Sequence, residues 1–219
     1  MSARKLAVFD LDGTLLNTIG DLAVACNHML ALRSMEGHTY EEYCGFVGNG
    51  ITRLVERAIP EGLRTAEYIA AARRDFLEYY FDHIDIHTHP YEGVHALLRR
   101  LSAAGVMLAV ASNKFDAGTK RLIERFFPDV PFVAVYGNRE GFPLKPDAAL
   151  LQTIIAECGG DASQCWMVGD SGVDMQTAHA AGARSIGVSW GFRSREELSE
   201  NGAGVIADTV DEVFSAIVY

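Results

Sequence analysis

Four carboxylates, one lysine and a Ser-Asn pair stand where chemistry could be done. Asp10 and Asp12, in Asp10-Leu11-Asp12-Gly13-Thr14, close the apolar run Leu6 to Phe9. Ser112 and Asn113 close the run Val106 to Ala111, and Lys145 follows the run Phe132 to Tyr136. Asp170 and Asp174 follow Cys165 to Val168. Carboxylates gathered at one place repel one another and raise each other's pKa values. A hard divalent cation relieves that repulsion, and an oxygen-only ligand set favours Mg2+. Lys145, Ser112, Asn113 and the N–H groups near Gly13-Thr14 are donors suited to the non-bridging oxygens of a phosphoryl group. A carboxylate can take such a group as an aspartyl-phosphate. A second acid, Asp12, could protonate the leaving oxygen and later activate water.

These segments converge only if the runs are neighbouring strands. Each is short, apolar and punctuated, as a buried strand is. Ser185–Val188 and Val205–Ala207 are candidates for a fifth and sixth. Between them lie amphipathic helical patterns: Val94–Ala104 ends at Gly105, Ala148–Cys158 at Gly159-Gly160, and Asp174–Ala181 at Gly182. The alternation predicts an α/β fold, a Rossmann-like parallel sheet with helices on both faces. Ligands of such sheets bind beyond the carboxyl ends of the strands, where the polar residues stand. From Asn17 to Ile86 the pattern is helical throughout: Asp21–Leu32, Tyr40–Phe46, Ile51–Ala58 and Thr65–Phe81. The expected organisation is a core of residues 1–16 and 87–219 with an inserted α-helical cap, 17–86.

The ordered set resembles the haloacid dehalogenase-like hydrolase superfamily. Its first motif stands as Phe9-Asp10-Leu11-Asp12-Gly13-Thr14-Leu15, its second as Ser112-Asn113, its third as Lys145-Pro146, and its fourth as Gly169-Asp170-Ser171-Gly172-Val173-Asp174. The resemblance covers essentially the whole chain. It implies that Asp10 is nucleophile and metal ligand, and that Asp12 is general acid/base and gives its backbone carbonyl to the metal. It implies that Ser112, Asn113 and Lys145 hold the phosphoryl group, that Asp170 ligates Mg2+, and that Asp174 supports the metal from behind. The inserted helices are similar to the family's cap, which closes over substrate and excludes water. Phe46-Val47-Gly48-Asn49-Gly50, the helix after it, and Val188-Ser189-Trp190-Gly191 are most similar to the phosphoglycolate phosphatase group. Gly48, Asn49, Gly50 and Arg53 are then candidates for contact with substrate. Two positions depart from the pattern: Asn17 where an acid is common, and Ala148 where the third motif often has a second proline.

The 219 residues are nearly half apolar, enough for a full core, and carry a net charge of −10. That charge excludes a general nucleic-acid surface. No segment has the length of a membrane span, and the apolar run before Asp10 is too short for a secretion signal. Cys26, Cys44, Cys158 and Cys165 have no metal or redox spacing and read as reduced, buried thiols of a cytoplasmic protein. Ser112 and Asn113 are also expected to cap the following helix. His83, His87 and His89 read as the return hinge of the cap, and Tyr79, Tyr80 and Phe81 as its core. The expected enzyme is a Mg2+-dependent phosphatase acting on a small phosphorylated metabolite, phosphoglycolate or similar. A β-phosphoglucomutase-type mutase, or a pyrophosphatase or sugar phosphatase of the same superfamily, are the alternatives. A non-catalytic binding protein has no support, since every reacting group is present. A dehalogenase is disfavoured by the acid at position 12.

Overall fold

The computed structural model describes residues 4–219. Six strands form one parallel sheet: β1 (Leu6–Phe9), β4 (Met107–Phe115), β5 (Phe132–Asn138), β6 (Cys165–Gly169), β7 (Arg184–Val188) and β8 (Val205–Ala207). Their order is β5-β4-β1-β6-β7-β8. The chain steps from β1 to one side and then returns to the other, so β1 lies between β4 and β6. Its last residue, Phe9, is in register with Val110 on one side and Val168 on the other. The residue just past Phe9 is therefore held about 5 Å from each neighbouring strand.

Alternate side chains of β1 enter two cores, as the two-residue period of a strand requires. Leu6 and Val8 pack with Leu151, Ile154 and Met167; Ala7 and Phe9 pack with Leu97, Leu122 and Val213. Helices α5 (Val94–Ala103), α6 (Asp116–Phe126), α7 (Ala149–Glu157), α8 (Gly172–Ala181), α9 (Arg195–Glu200) and α10 (Val210–Val218) cover the sheet.

Between β1 and α5 the chain is helical: α1 (Ile19–Ala31), α2 (Tyr40–Phe46), α3 (Gly50–Ala58) and α4 (Ala66–Asp82). Met29, Tyr43, Phe76 and Tyr80 are buried among them. The two linkers to this unit pair with each other, β2 (Leu16–Asn17) antiparallel to β3 (His89–Pro90). Asp21 reinforces the tie: its buried carboxylate accepts from the N–H groups of His87 and Thr88 and from the Thr88 hydroxyl at 2.7–3.1 Å.

Three local expectations change. Ser112 and Asn113 lie within β4, which slips register between Ala111 and Phe115, and α6 begins at Asp116. The pair therefore does not cap that helix, and Ser112 Oγ accepts from the Lys114 N–H at 3.2 Å. Phe81 is 46 % exposed, whereas Tyr80 beside it is fully buried. Of the four free cysteines, Cys26 and Cys165 are buried and the other two are partly exposed. No helix of the described residues is long and apolar enough to cross a membrane.

Candidate active site

Asp10 leaves the central strand with its backbone N–H still bonded to Val168 O at 2.9 Å. Its Oδ1 accepts from the Leu11 N–H at 2.7 Å and faces Lys145 Nζ at 3.0 Å. Both interactions fall on Oδ1, leaving Oδ2 without a donor among the described residues. Burial pushes the Asp10 carboxyl up to about 7; Lys145 pulls it down, and Asp174 and Asp12 push it up again.

Lys145 is buried and also meets Asp174 Oδ1 at 2.6 Å. Burial would lower the pKa of its ammonium, but the two carboxylates outweigh that and hold it above the usual lysine range. The second oxygen of Asp174 accepts from Ser171, from Oγ at 2.6 Å and from N–H at 3.2 Å. This is a capping box at the start of α8, with Asp174 three residues into the helix. Asp174 thereby fixes both the helix entry and the lysine.

Asp170 projects from the end of β6, and its Oδ2 accepts from the Phe192 N–H at 2.7 Å. Burial raises its pKa well above the carboxylate range, and Asp174 and Asp10 add to the rise. No lysine or arginine pairs with it among the described residues. Two glycines make room for it. A Cβ on Gly13, whose φ is +85°, would fall 2.2 Å from Asp170 Oδ2, and one on Gly191 would fall 2.2 Å from Asp170 Cβ.

A divalent cation fits this donor set. One oxygen from each of Asp10, Asp170 and Asp174 lies within 4.8 Å of the others, and all three residues are buried. Three carboxylates face one ammonium, so the cluster carries excess negative charge in a medium that disfavours it. Asp10 and Asp170 have the freer oxygens, whereas those of Asp174 already accept from Lys145 and Ser171.

Asp12 makes a separate, largely buried ion pair. Its Oδ1 meets Lys114 Nζ at 3.0 Å, and the same ammonium donates to Tyr80 Oη of α4 at 2.6 Å. Asp12 and Lys114, with Asp10, Ser112 and Asn113, bound a chamber of about 30 Å³ whose other lining residues are Leu22, Val47, Gly48, Gly50, Ile51 and Leu54. The Asn113 side chain is committed to backbone: it donates to Gly48 O and Lys145 O at 3.0 Å and accepts from the Lys145 N–H at 2.8 Å. Only its main chain is left to face a phosphoryl group.

The other cap candidates divide. Gly48 and Gly50, both at positive φ, border the chamber. Asn49 and Arg53 do not. They border an outer groove with Arg57 and Arg64, where Asn49 accepts from Arg57 at 2.9 Å and the exposed Arg53 pairs with Glu56.

Lys114 and Arg193 were not singled out by sequence reasoning, and Tyr80 was read only as cap core. Lys114 follows the second motif directly, and that adjacency was the available signal. Arg193 donates to Cys44 O and, at 2.6 Å, to Val47 O, joining the loop after β7 to the end of α2. Nothing in its local sequence distinguishes it from a surface arginine.

The sequence profile described as Haloacid dehalogenase-like hydrolase matches residues 7–188. The phosphoglycolate phosphatase of Mesorhizobium japonicum is 35% identical over 207 residues, 94% of this chain and 91% of that protein. That of Aliivibrio fischeri is 34% identical over 212 residues, 93% of this chain and 92% of the relative. A crystal structure of a candidate phosphoglycolate phosphatase from Lactobacillus delbrueckii subsp. bulgaricus superposes with a TM-score of 0.92 at 32% identity, covering 98% of both chains. With the motif residues gathered at the carboxyl end of the sheet and the likeness running the length of the chain, this protein belongs to the haloacid dehalogenase-like hydrolases.

Proposed function

We propose that this enzyme is a Mg2+-dependent phosphatase that hydrolyses phosphoglycolate, or a phosphate monoester of similar size, through an aspartyl-phosphate on Asp10. The observation that carries this reading is Asp10 itself: a buried carboxylate at the end of the central strand, oriented through Oδ1, lining a small chamber that Asp12 also lines. The names of the relatives support the choice of substrate.

Asp10 attacks phosphorus, and the bond from phosphorus to the ester oxygen breaks. Asp12 gives its proton to that departing oxygen. In the second half, Asp12 takes a proton from water, the water oxygen attacks the aspartyl-phosphate, and phosphate leaves with Asp10 restored. Lys145 and Ser112 hold the phosphoryl oxygens, and Asp174 keeps Lys145 aimed. Mg2+ bound by Asp10, Asp170 and the Asp12 carbonyl would neutralise charge between nucleophile and phosphate.

Residues 17–86 act as the cap. The chamber has room for little more than a pair of waters, so the cap must open to admit substrate and closes well only on a small leaving group. The test is phosphate release from a panel of monoesters, with and without Mg2+. Metal-dependent preference for phosphoglycolate is expected. Release that ignores the metal, or no release from any compound, would overturn the reading.

A further inference from the structure

Lys114 is buried, yet the mechanism above gives it no task. Its ammonium has three N–H donors. One meets Asp12 Oδ1 at 3.0 Å and one meets Tyr80 Oη at 2.6 Å, with the Tyr80 ring centroid 4.8 Å away. That leaves one donor on a residue that borders the chamber. The rest of the lining beyond the phosphoryl end is apolar, with Leu22, Val47, Ile51 and Leu54 forming the walls. Lys145 is held between Asp10 and Asp174, and Arg53, Arg57 and Arg64 face the outer groove. Among the described residues, Lys114 is thus the one cation of the chamber lining.

Its position relative to Asp12 defines what it can bind. Asp12 meets the ester oxygen of the substrate, and Lys114 is in hydrogen-bond contact with Asp12. A group carried one carbon beyond the ester oxygen therefore falls beside the ammonium. We infer that Lys114 is the specificity-determining residue for an anionic leaving group: it binds the carboxylate of a short phosphorylated hydroxy acid. Tyr80 positions the ammonium from the cap, so the carboxylate is gripped only when the cap is closed. A buried ammonium–carboxylate contact discriminates strongly, because a neutral analogue leaves the charge without its partner. The inference rests on the phosphatase reading and adds the chemical class of the leaving group.

Two substrates separate the possibilities: phosphoglycolate, and 2-hydroxyethyl phosphate, which has the same skeleton with an alcohol in place of the carboxylate. At saturating Mg2+ the wild-type enzyme should prefer phosphoglycolate. Lys114→Met should lower kcat/KM for phosphoglycolate by about 10- to 100-fold more than for the alcohol, the size of one charge-assisted hydrogen bond. Both substrates share any loss from a displaced Asp12, so the difference between them reports the carboxylate contact. Tyr80→Phe keeps the ring and removes the hydroxyl. It should raise KM for phosphoglycolate selectively, and it serves if Lys114→Met does not fold. Equal losses on both substrates, or a wild-type enzyme that does not distinguish them, would overturn the inference and leave the phosphatase standing. Turnover of neither substrate by the wild type would overturn both.

Discussion

Lys145 Nζ lies 2.6 Å from Asp174 Oδ1, and both side chains are buried from solvent. The pair anchors this end of the site, because the same ammonium reaches Asp10 at 3.0 Å. Removing the carboxylate charge should release the lysine. Asp174→Asn is expected to lower kcat by about 100-fold, comparable to losing one preorganised donor. It should also cost stability, since breaking a buried pair destabilises by about 3–5 kcal/mol. Single-turnover rates and urea unfolding measure the two effects separately. An unchanged kcat would remove Asp174 from any role in orienting Lys145.

Asp10→Asn should abolish turnover and leave the fold intact. In metal-free protein it should also stabilise, because it removes one charge from a crowded buried cluster. Thermal melts in EDTA, with and without the substitution, check this. A destabilised variant would mean that the Lys145 contact outweighs the repulsion.

The pH dependence of the metal-free protein follows from the raised Asp10. Its carboxyl titrates near 7 in the fold against an ordinary value of 3.8. Between those values the native state holds a proton that the unfolded chain has lost. Stability therefore falls as pH rises from about 4 to about 7, by up to ~4 kcal/mol from this group. Asp170, raised for the same reason, adds to the decline. Mg2+ should reverse the trend, binding more tightly as these groups ionise. Melting temperature against pH, in EDTA and in Mg2+, gives both slopes; a stability that climbs with pH in EDTA contradicts the electrostatics.

Gly13→Ala places a methyl 2.2 Å from Asp170 Oδ2, on backbone at φ +85°. The backbone term alone is about 1–2 kcal/mol, and the displaced carboxylate should weaken Mg2+ activation more than it weakens the fold. A Mg2+ titration of activity is the measurement. Normal activation by Mg2+ would show that Asp170 tolerates displacement.

Arg193→Met should loosen the helical insert, since Arg193 donates to three carbonyls at the end of α2. Faster amide exchange across 40–50 and a rise in KM of about 10-fold are expected, the latter matching one lost charge-assisted hydrogen bond. Exchange confined to wild-type rates would place the control of closure elsewhere.

The sequence by itself determined the alternation of strand and helix, the helical insert, and the order of the four motifs. Those signals are local: apolar runs such as Leu6–Phe9 and Cys165–Val168 end in acids, and period and punctuation are enough to read them. It missed the β2/β3 ribbon, because two residues per strand carry no alternation, and it put a cap where Ser112 and Asn113 continue a strand. Only the tertiary structure decided who touches whom. Which carboxylate meets Lys145, that the amide of Asn113 is spent on the backbone of Gly48 and Lys145, and that Arg53 turns outward while Lys114 turns in, all depend on contacts between residues 29 or more positions apart or on the rotation of one helix. A local pattern places a residue at a strand end or on a helix; the sheet order β4-β1-β6 and the seating of the cap set its distance to everything else.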